Sequence, residues 1–275
     1  MTLTRRLFLA SALAHPLASL RQVDLQARLN NAMAKAMAGK RGSVLILDTF
    51  SGRALAQYRA EAARDRLVQP GSIIKPFVLA ALIQAGIVQA NTRRNCARKL
   101  RIEGRNLDCT HVDAGEAMDP VSALAYSCNS YFAQMALHLE PRALVGTLSS
   151  FGLTPPMPTS PAQMQLLMLG EAGIRVTLPA VAGAYRRLAL LNREAKTSLV
   201  LDGLAAATRY GTARLARRGS LAVSGKTGTA TERAGTPAHA WFAGFAPEIV
   251  VVIFLETGSG GADAAPIAGE IFAAL

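Results

Sequence analysis

The extended apolar runs of this 275-residue chain lie at its two ends, with mostly helical patterns between them. Gly42-Ser-Val-Leu-Ile-Leu-Asp48 reads as a buried strand, Thr49 to Gly52 as a turn, and Arg53-Ala-Leu-Ala-Gln-Tyr58 as its antiparallel partner. Leu221–Ala230, His239–Ala246 and Glu248–Leu255 read as three further strands. Between them, helices are expected over Phe77–Ala85 with Gly86 as a C-cap, Pro120–Leu139, Pro141–Phe151 and Leu178–Leu191. Val23–Ala38 and Ala264–Leu275 read as flanking helices, and the four prolines of Thr154–Pro161 mark a loop. A single sheet forms only if the N-terminal hairpin pairs with the C-terminal meander. The expected fold is therefore α+β: an antiparallel sheet built from both chain ends, flanked by helices, with a helical insertion forming a cleft against the sheet edge. No internal repeat is present.

Hydrophobic residues at 51% supply a substantial core. The net charge of +12 comes mostly from scattered arginine, and aromatic residues are only 5%. A nucleic-acid groove needs clustered basic residues interleaved with stacking platforms, so no nucleic-acid partner is expected. Arg93, Arg94, Arg98, Arg101 and Arg105 gather on one segment that reads as a solvated hairpin.

At the N-terminus, Arg5-Arg6 precede a short apolar run, Leu7–Ala14, with small residues at Ala12 and Ala14. This is the layout of an export signal, and the paired arginines fit the route taken by prefolded cargo. Residues 1–20 are read as that signal and 21–275 as the working domain, exported to the periplasm or the outer face of the cytoplasmic membrane. In an oxidising compartment, Cys96 and Cys109, which bracket the expected hairpin, form a candidate disulfide, leaving Cys128 as a small buried hydrophobe. No Cys/His grouping has zinc-ligand spacing along the sequence, so no metal and no cofactor are expected.

Three short segments carry chemistry. In Gln69-Pro-Gly-Ser-Ile-Ile-Lys-Pro-Phe77, a lysine follows a serine by three residues in a chain with only six lysines against twenty-four arginines. Pro76 is tolerated only in a first helical turn, so the helix begins near Ser72. That places the Ser72 hydroxyl where free backbone N–H groups can stabilise an oxyanion. Lys75 is a base candidate, because a lysine pKa can be lowered by its surroundings and an arginine pKa cannot. In Tyr126-Ser-Cys-Asn-Ser130, Ser127 and Asn129 share a side on an extended or turn segment and can relay a proton and hold an amide. In Lys226-Thr-Gly-Thr-Ala230, Gly225 and Gly228 weaken a strand unless something approaches its backbone closely. An edge strand of this kind can accept an extended peptide. Lys226 brings a second positive charge, expected to depress the Lys75 pKa and attract a carboxylate.

Ser72-x-x-Lys75, Ser127-x-Asn129 and Lys226-Thr227-Gly228, in this order, resemble the three motifs of penicillin-binding proteins and serine β-lactamases. Pro70–Phe77, Ser127–Asn129 and Lys226–Ala230 followed by Ala240–Pro247 resemble transpeptidase domains most closely. The resemblance runs from about residue 40 to the C-terminus. It implies a DD-transpeptidase or DD-carboxypeptidase acting on peptidoglycan stem peptides. Ser72 is then the nucleophile and Lys75 the base, Ser127 and Lys226 pass a proton to the leaving amine, and Asn129 holds the substrate amide. Thr227 and Thr229 hold the terminal carboxylate, Gly228 belongs to the same substrate-binding strand, and the backbone N–H groups of Ser72 and Thr229 form the oxyanion hole. β-Lactams would acylate Ser72, and cell-wall synthesis proteins are the expected partners. A serine β-lactamase is the near alternative. Glu171 is the one acidic residue between Ser150 and Leu190, but it lacks the Leu-Asn setting of the class A deacylating glutamate. A non-catalytic β-lactam or peptidoglycan sensor, or a docking module, is the other alternative.

Overall fold

A computed structural model describes residues 23–112, 117–193, 198–232 and 235–275. The expected export signal, residues 1–20, lies outside them. A helix at 23–36 (α1) leads into β1 (Gly42–Asp48) and β2 (Ala54–Tyr58). The chain ends with β5 (Ser224–Ala230), β6 (His239–Phe245), β7 (Ile249–Leu255) and α9 (Ala265–Phe272). These five strands form one sheet in the order β2-β1-β7-β6-β5. All four pairings are antiparallel, and Gly42 faces Leu255 where the first strand meets the last. The expected closure of the sheet from the two chain ends is present.

The uninterrupted apolar run of β7 follows from its central place, where both faces are covered. Successive side chains of a strand point to opposite faces. Accordingly Val250, Val252 and Phe254 join the core under the helical part. Ile249, Val251, Ile253 and Leu255 join a second core with Leu29, Met33 and Met37 on one side of the chain and Ile267, Ile271 and Phe272 on the other.

The helical part holds α2 (Lys75–Gln84), α3 (Pro120–Ala125), α4 (Asn129–Met135), α5 (Pro141–Ser150), α6 (Pro161–Leu169), α7 (Leu178–Arg193) and α8 (Ser198–Arg209). The expected 96–109 hairpin is present as β3 (Arg101–Ile102) and β4 (Arg105–Asn106). Three differences from the expected elements have physical causes. The single helix expected over 120–139 breaks at Ser127, which adopts φ +59°, and restarts at Asn129 with the Cys128 sulfur capping the Tyr131 N–H. Helix α6 starts directly after the proline loop, with the Ser160 side chain accepting from the Gln163 N–H and Pro161 in the first turn. Helix α8 falls in a stretch to which no element is assigned from sequence; a Cβ on its Gly203 would lie 2.7 Å from Leu124, so the glycine is what lets α3 pack against α8.

Among the described residues no helix is long and apolar enough to cross a membrane.

Candidate active site

The turn carrying Ser72 is a 3-10 segment, Gly71–Ile74, that runs into α2 at Lys75, with Pro76 inside the first turn. Several buried groups fix this turn. The Gln69 carbonyl accepts from Trp241 Nε1 at 3.0 Å and from His239 Nε2 at 2.7 Å. Tyr185 donates its hydroxyl to the Ile73 carbonyl at 2.9 Å. Gly71 has φ +54°, and a Cβ on it would lie 2.7 Å from the Thr229 carbonyl oxygen. Only glycine fits that left-handed turn against another backbone. The close approach sets the peptide of Ser72 beside that of Thr229.

Strand β5 is an edge of the sheet, as a peptide-accepting strand must be. With the Ser72 turn, the β4 end and the α3–α4 junction, it encloses a cleft of about 680 Å³. Ser72, Ser127, Asn129, Thr227 and Thr229 all line it. Thr227 donates its hydroxyl to Thr212 Oγ1 at 2.8 Å, and Thr229 Oγ1 accepts from the Gly260 N–H at 3.0 Å. Gly228 does not line the cleft. A Cβ there would lie 2.7 Å from the Pro70 carbonyl oxygen, so this glycine serves close packing beneath the nucleophile turn rather than substrate contact.

Lys75 is fully buried at the cleft floor. Its Nζ donates to the Ser127 carbonyl at 2.9 Å, to Ser127 Oγ at 3.3 Å and to Asn129 Oδ1 at 2.5 Å. The Asn129 amide in turn donates to the Leu107 carbonyl at 2.9 Å. Two of the three sequence motifs thus meet at one amine, although the hydroxyl that the amine touches is that of Ser127 rather than Ser72. Burial lowers the Lys75 pKa to about 8, while Cys128, Cys109 and Glu171 pull it upward. Lys226 is equally buried and donates to the Thr227 carbonyl at 3.1 Å. Its pKa is lowered well below the lysine range by burial first and by Lys75 second. This corrects the expected electrostatics: desolvation, rather than a charge on Lys226, is what lowers Lys75.

Glu171, set aside in the sequence, also lines the cleft. Burial raises its pKa, against the opposing pull of Lys75 and Arg105.

The expected Cys96–Cys109 disulfide is absent. All three cysteines are free thiols, and Cys109 Sγ lies 3.8 Å from Cys128 Sγ, far beyond an S–S bond of about 2.05 Å. Cys96 instead faces His111 Nε2 at 3.5 Å. The fold therefore gathers a Cys/His group that sequence spacing does not show. The visible fragment of it is Cys109-x-His111; the other two sulfurs come from across the hairpin and from the start of α4.

A serine on a 3-10 turn leading into a helix, a buried lysine of lowered pKa, a hydroxyl–carboxamide pair and an edge strand are the parts from which a serine acyl-transfer site can be built. The chain belongs to the family of penicillin-binding protein transpeptidase domains, which matches residues 32–163 and 192–273. Among curated relatives it is similar to the peptidoglycan D,D-transpeptidase FtsI of Escherichia coli, 32% identical over 164 residues that make up 52% of this chain and 27% of that protein. It is also similar to the peptidoglycan D,D-transpeptidase PbpA of Mycolicibacterium smegmatis, 26% identical over 267 residues, 74% of this chain and 54% of that one. The chain thus spans between a quarter and about half of these relatives. Its fold matches the D,D-transpeptidase domain of a peptidoglycan glycosyltransferase from Eggerthella lenta, with a TM-score of 0.78 at 20% identity over 90% of this chain and 80% of that one. It also matches penicillin-binding protein A of Mycobacterium tuberculosis in its ceftriaxone acyl-enzyme complex, with a TM-score of 0.76 at 20% identity over 90% and 78%.

Proposed function

We propose that this chain is a penicillin-binding DD-transpeptidase domain that resolves peptidoglycan stem peptides through an acyl-enzyme on Ser72. The observation that carries the reading is the buried Lys75 amine, which holds Ser127 and Asn129 at the floor of the cleft that Ser72 lines. Neutral Lys75 takes the Ser72 proton as Oγ attacks the penultimate D-alanine carbonyl. The backbone N–H groups of Ser72 and Thr229 receive the oxyanion. As the tetrahedral intermediate collapses, the proton passes from Lys75 through Ser127 Oγ to the leaving D-alanine amine. Thr227 and Thr229 face the terminal carboxylate, Asn129 faces the substrate amide, and β5 offers its free edge to the extended peptide. Residues 1–20 act as the export signal and 21–275 as the catalytic unit, working outside the cytoplasm. Cell-wall synthesis proteins are the natural partners, since solved neighbours include a penicillin-binding protein in complex with MreC from Helicobacter pylori.

The test is intact-mass analysis of the chain with a penicillin, beside Ser72→Ala. A lasting adduct that the variant lacks is the expected result; no adduct on the folded chain would sink the reading. A second reading, in which water resolves the acyl-enzyme, rests on Glu171, a carboxyl with raised pKa in the same cleft. It requires rapid drug turnover that Glu171→Gln slows.

A further inference from the structure

Cys96, Cys109, His111 and Cys128 come from three separate places: Cys96 before the β3–β4 hairpin, Cys109 and His111 after it, and Cys128 at the start of α4. Their three sulfurs and one ring nitrogen nevertheless all lie within 4.8 Å of one another. Zinc binds thiolate at about 2.3 Å and imidazole at about 2.0 Å, so a tetrahedron around it has S–S edges of about 3.8 Å and S–N edges of about 3.5 Å. The Cys109–Cys128 edge is 3.8 Å and the Cys96–His111 edge is 3.5 Å.

Packing of inert thiols explains the sulfurs but leaves the imidazole unexplained. His111 Nδ1 lies 2.7 Å from the Val112 carbonyl oxygen, which can only accept, so Nδ1 carries the proton. Arg98 stands 3.4 Å from the same nitrogen, but its guanidinium has a better acceptor in the His111 carbonyl at 2.7 Å. A neutral ring protonated on Nδ1 aims the Nε2 lone pair at the sulfurs. A backbone carbonyl on the far nitrogen is also how metal-bound histidines are oriented. The sulfurs have matching support: the Ser130 N–H donates to Cys109 Sγ at 3.3 Å and the Tyr131 N–H to Cys128 Sγ at 3.4 Å. Cys109, His111 and Cys128 are buried and Cys96 is half-buried.

We propose that Cys96, Cys109, His111 and Cys128 form a closed tetrahedral zinc(II) site that locks the segment 127–129 against Lys75. Four protein ligands leave no open position, so the ion is structural rather than a Lewis acid for the reaction. On binding, the three thiols release their protons to solvent. Three thiolates and Nε2 then donate electron pairs, and nothing is oxidised or reduced. Cys128 lies between Ser127 and Asn129, so anchoring its sulfur anchors both side chains that the Lys75 amine holds. Cys109 is two residues past Leu107, whose carbonyl receives the Asn129 amide. The ion would thus tie the hairpin wall of the cleft to the start of α4, and it would sustain the left-handed Ser127.

The test uses the whole chain, purified under reducing conditions with zinc present and desalted, with zinc read by elemental mass spectrometry. About one zinc per chain is expected, falling at least tenfold in Cys96→Ser and His111→Ala. Cobalt(II) replacement in the unmutated chain reads the ligands directly and needs no variant to fold. Intense tetrahedral d–d bands with thiolate-to-metal charge transfer support the site. A folded chain that takes up neither zinc nor cobalt overturns the proposal. So does zinc held equally by both variants, or a native chain whose mass shows a Cys109–Cys128 disulfide. None of these readouts uses a penicillin, so the site stands or falls separately from the reaction assigned to Ser72.

Discussion

If Lys75 is the base, Ser72 acylation must follow the neutral fraction of one buried amine. With a pKa of about 8, about one molecule in ten has a neutral Lys75 at pH 7. An unshifted lysine at about 10.5 would leave about three in ten thousand, so burial raises the working population about 300-fold. The second-order rate constant for acylation by benzylpenicillin should therefore rise about tenfold per pH unit below about pH 8 and level off above it. Four titratable groups bear on that amine. Cys109, Cys128 and Glu171 hold its pKa up, and Lys226 shares its buried surroundings. Removing one of the upward pulls, in Glu171→Gln, should move the midpoint to lower pH. Lys75→Arg, which cannot shed its proton, should lose about 10²- to 10⁴-fold at every pH. The assay is quenched-flow intact mass from about pH 6 to about pH 9, a range in which the drug's carboxylate stays ionised. A flat profile, a midpoint near that of free lysine, or an upward shift in Glu171→Gln would refute the assignment.

Gly71→Ala forces a Cβ to within 2.7 Å of the Thr229 carbonyl at φ +54° and should cost about 10²-fold or more in acylation by displacing an oxyanion donor, read in the same assay. Tyr185→Phe strips the Ile73 carbonyl of its buried donor and should lower unfolding free energy by about 1–2 kcal/mol in urea melts, with acylation reduced as the turn loosens. Because the folded Lys75 pKa lies below the unfolded value, the unfolded chain binds more protons between pH 8 and 10.5, and stability from this residue grows as pH rises through that window. The unfolding free energy of the native chain relative to Lys75→Met should thus gain about 2 kcal/mol from about pH 8 to about pH 10; a difference that shrinks with pH contradicts the buried amine.

The strands were legible because burial on both faces of a sheet demands continuous apolar runs, and Ile249–Leu255 is such a run. The gathering of Ser72, Lys75, Ser127 and Asn129 at one cleft was legible from the residue types and order of the motifs that carry them. What the sequence hid is what only tertiary packing creates. The break at Ser127 depends on a backbone angle that no propensity favours for serine. Helix α8 carries Gly203 for the sake of a neighbour distant in sequence. The lowered pKa of Lys226 comes from burial that its strand position did not reveal. Cys96 meets His111 only because a short hairpin folds back, so reading cysteines by their spacing suggested a covalent bridge where the fold places a cluster.

The pairing of Gly42 with Leu255 sets an order on synthesis. Strand β1 is made long before β7, its partner on the inner side, and β5, which forms a wall of the cleft, lies two strands beyond β7 in the sheet. Contacts so distant along the chain form slowly, and until they form the apolar sides of β1 stay uncovered. A chain stopped before Ile249 would therefore be a protein without a cleft and a target for proteolysis, rather than a weakened enzyme. An assembled cleft therefore reports that translation has passed β7.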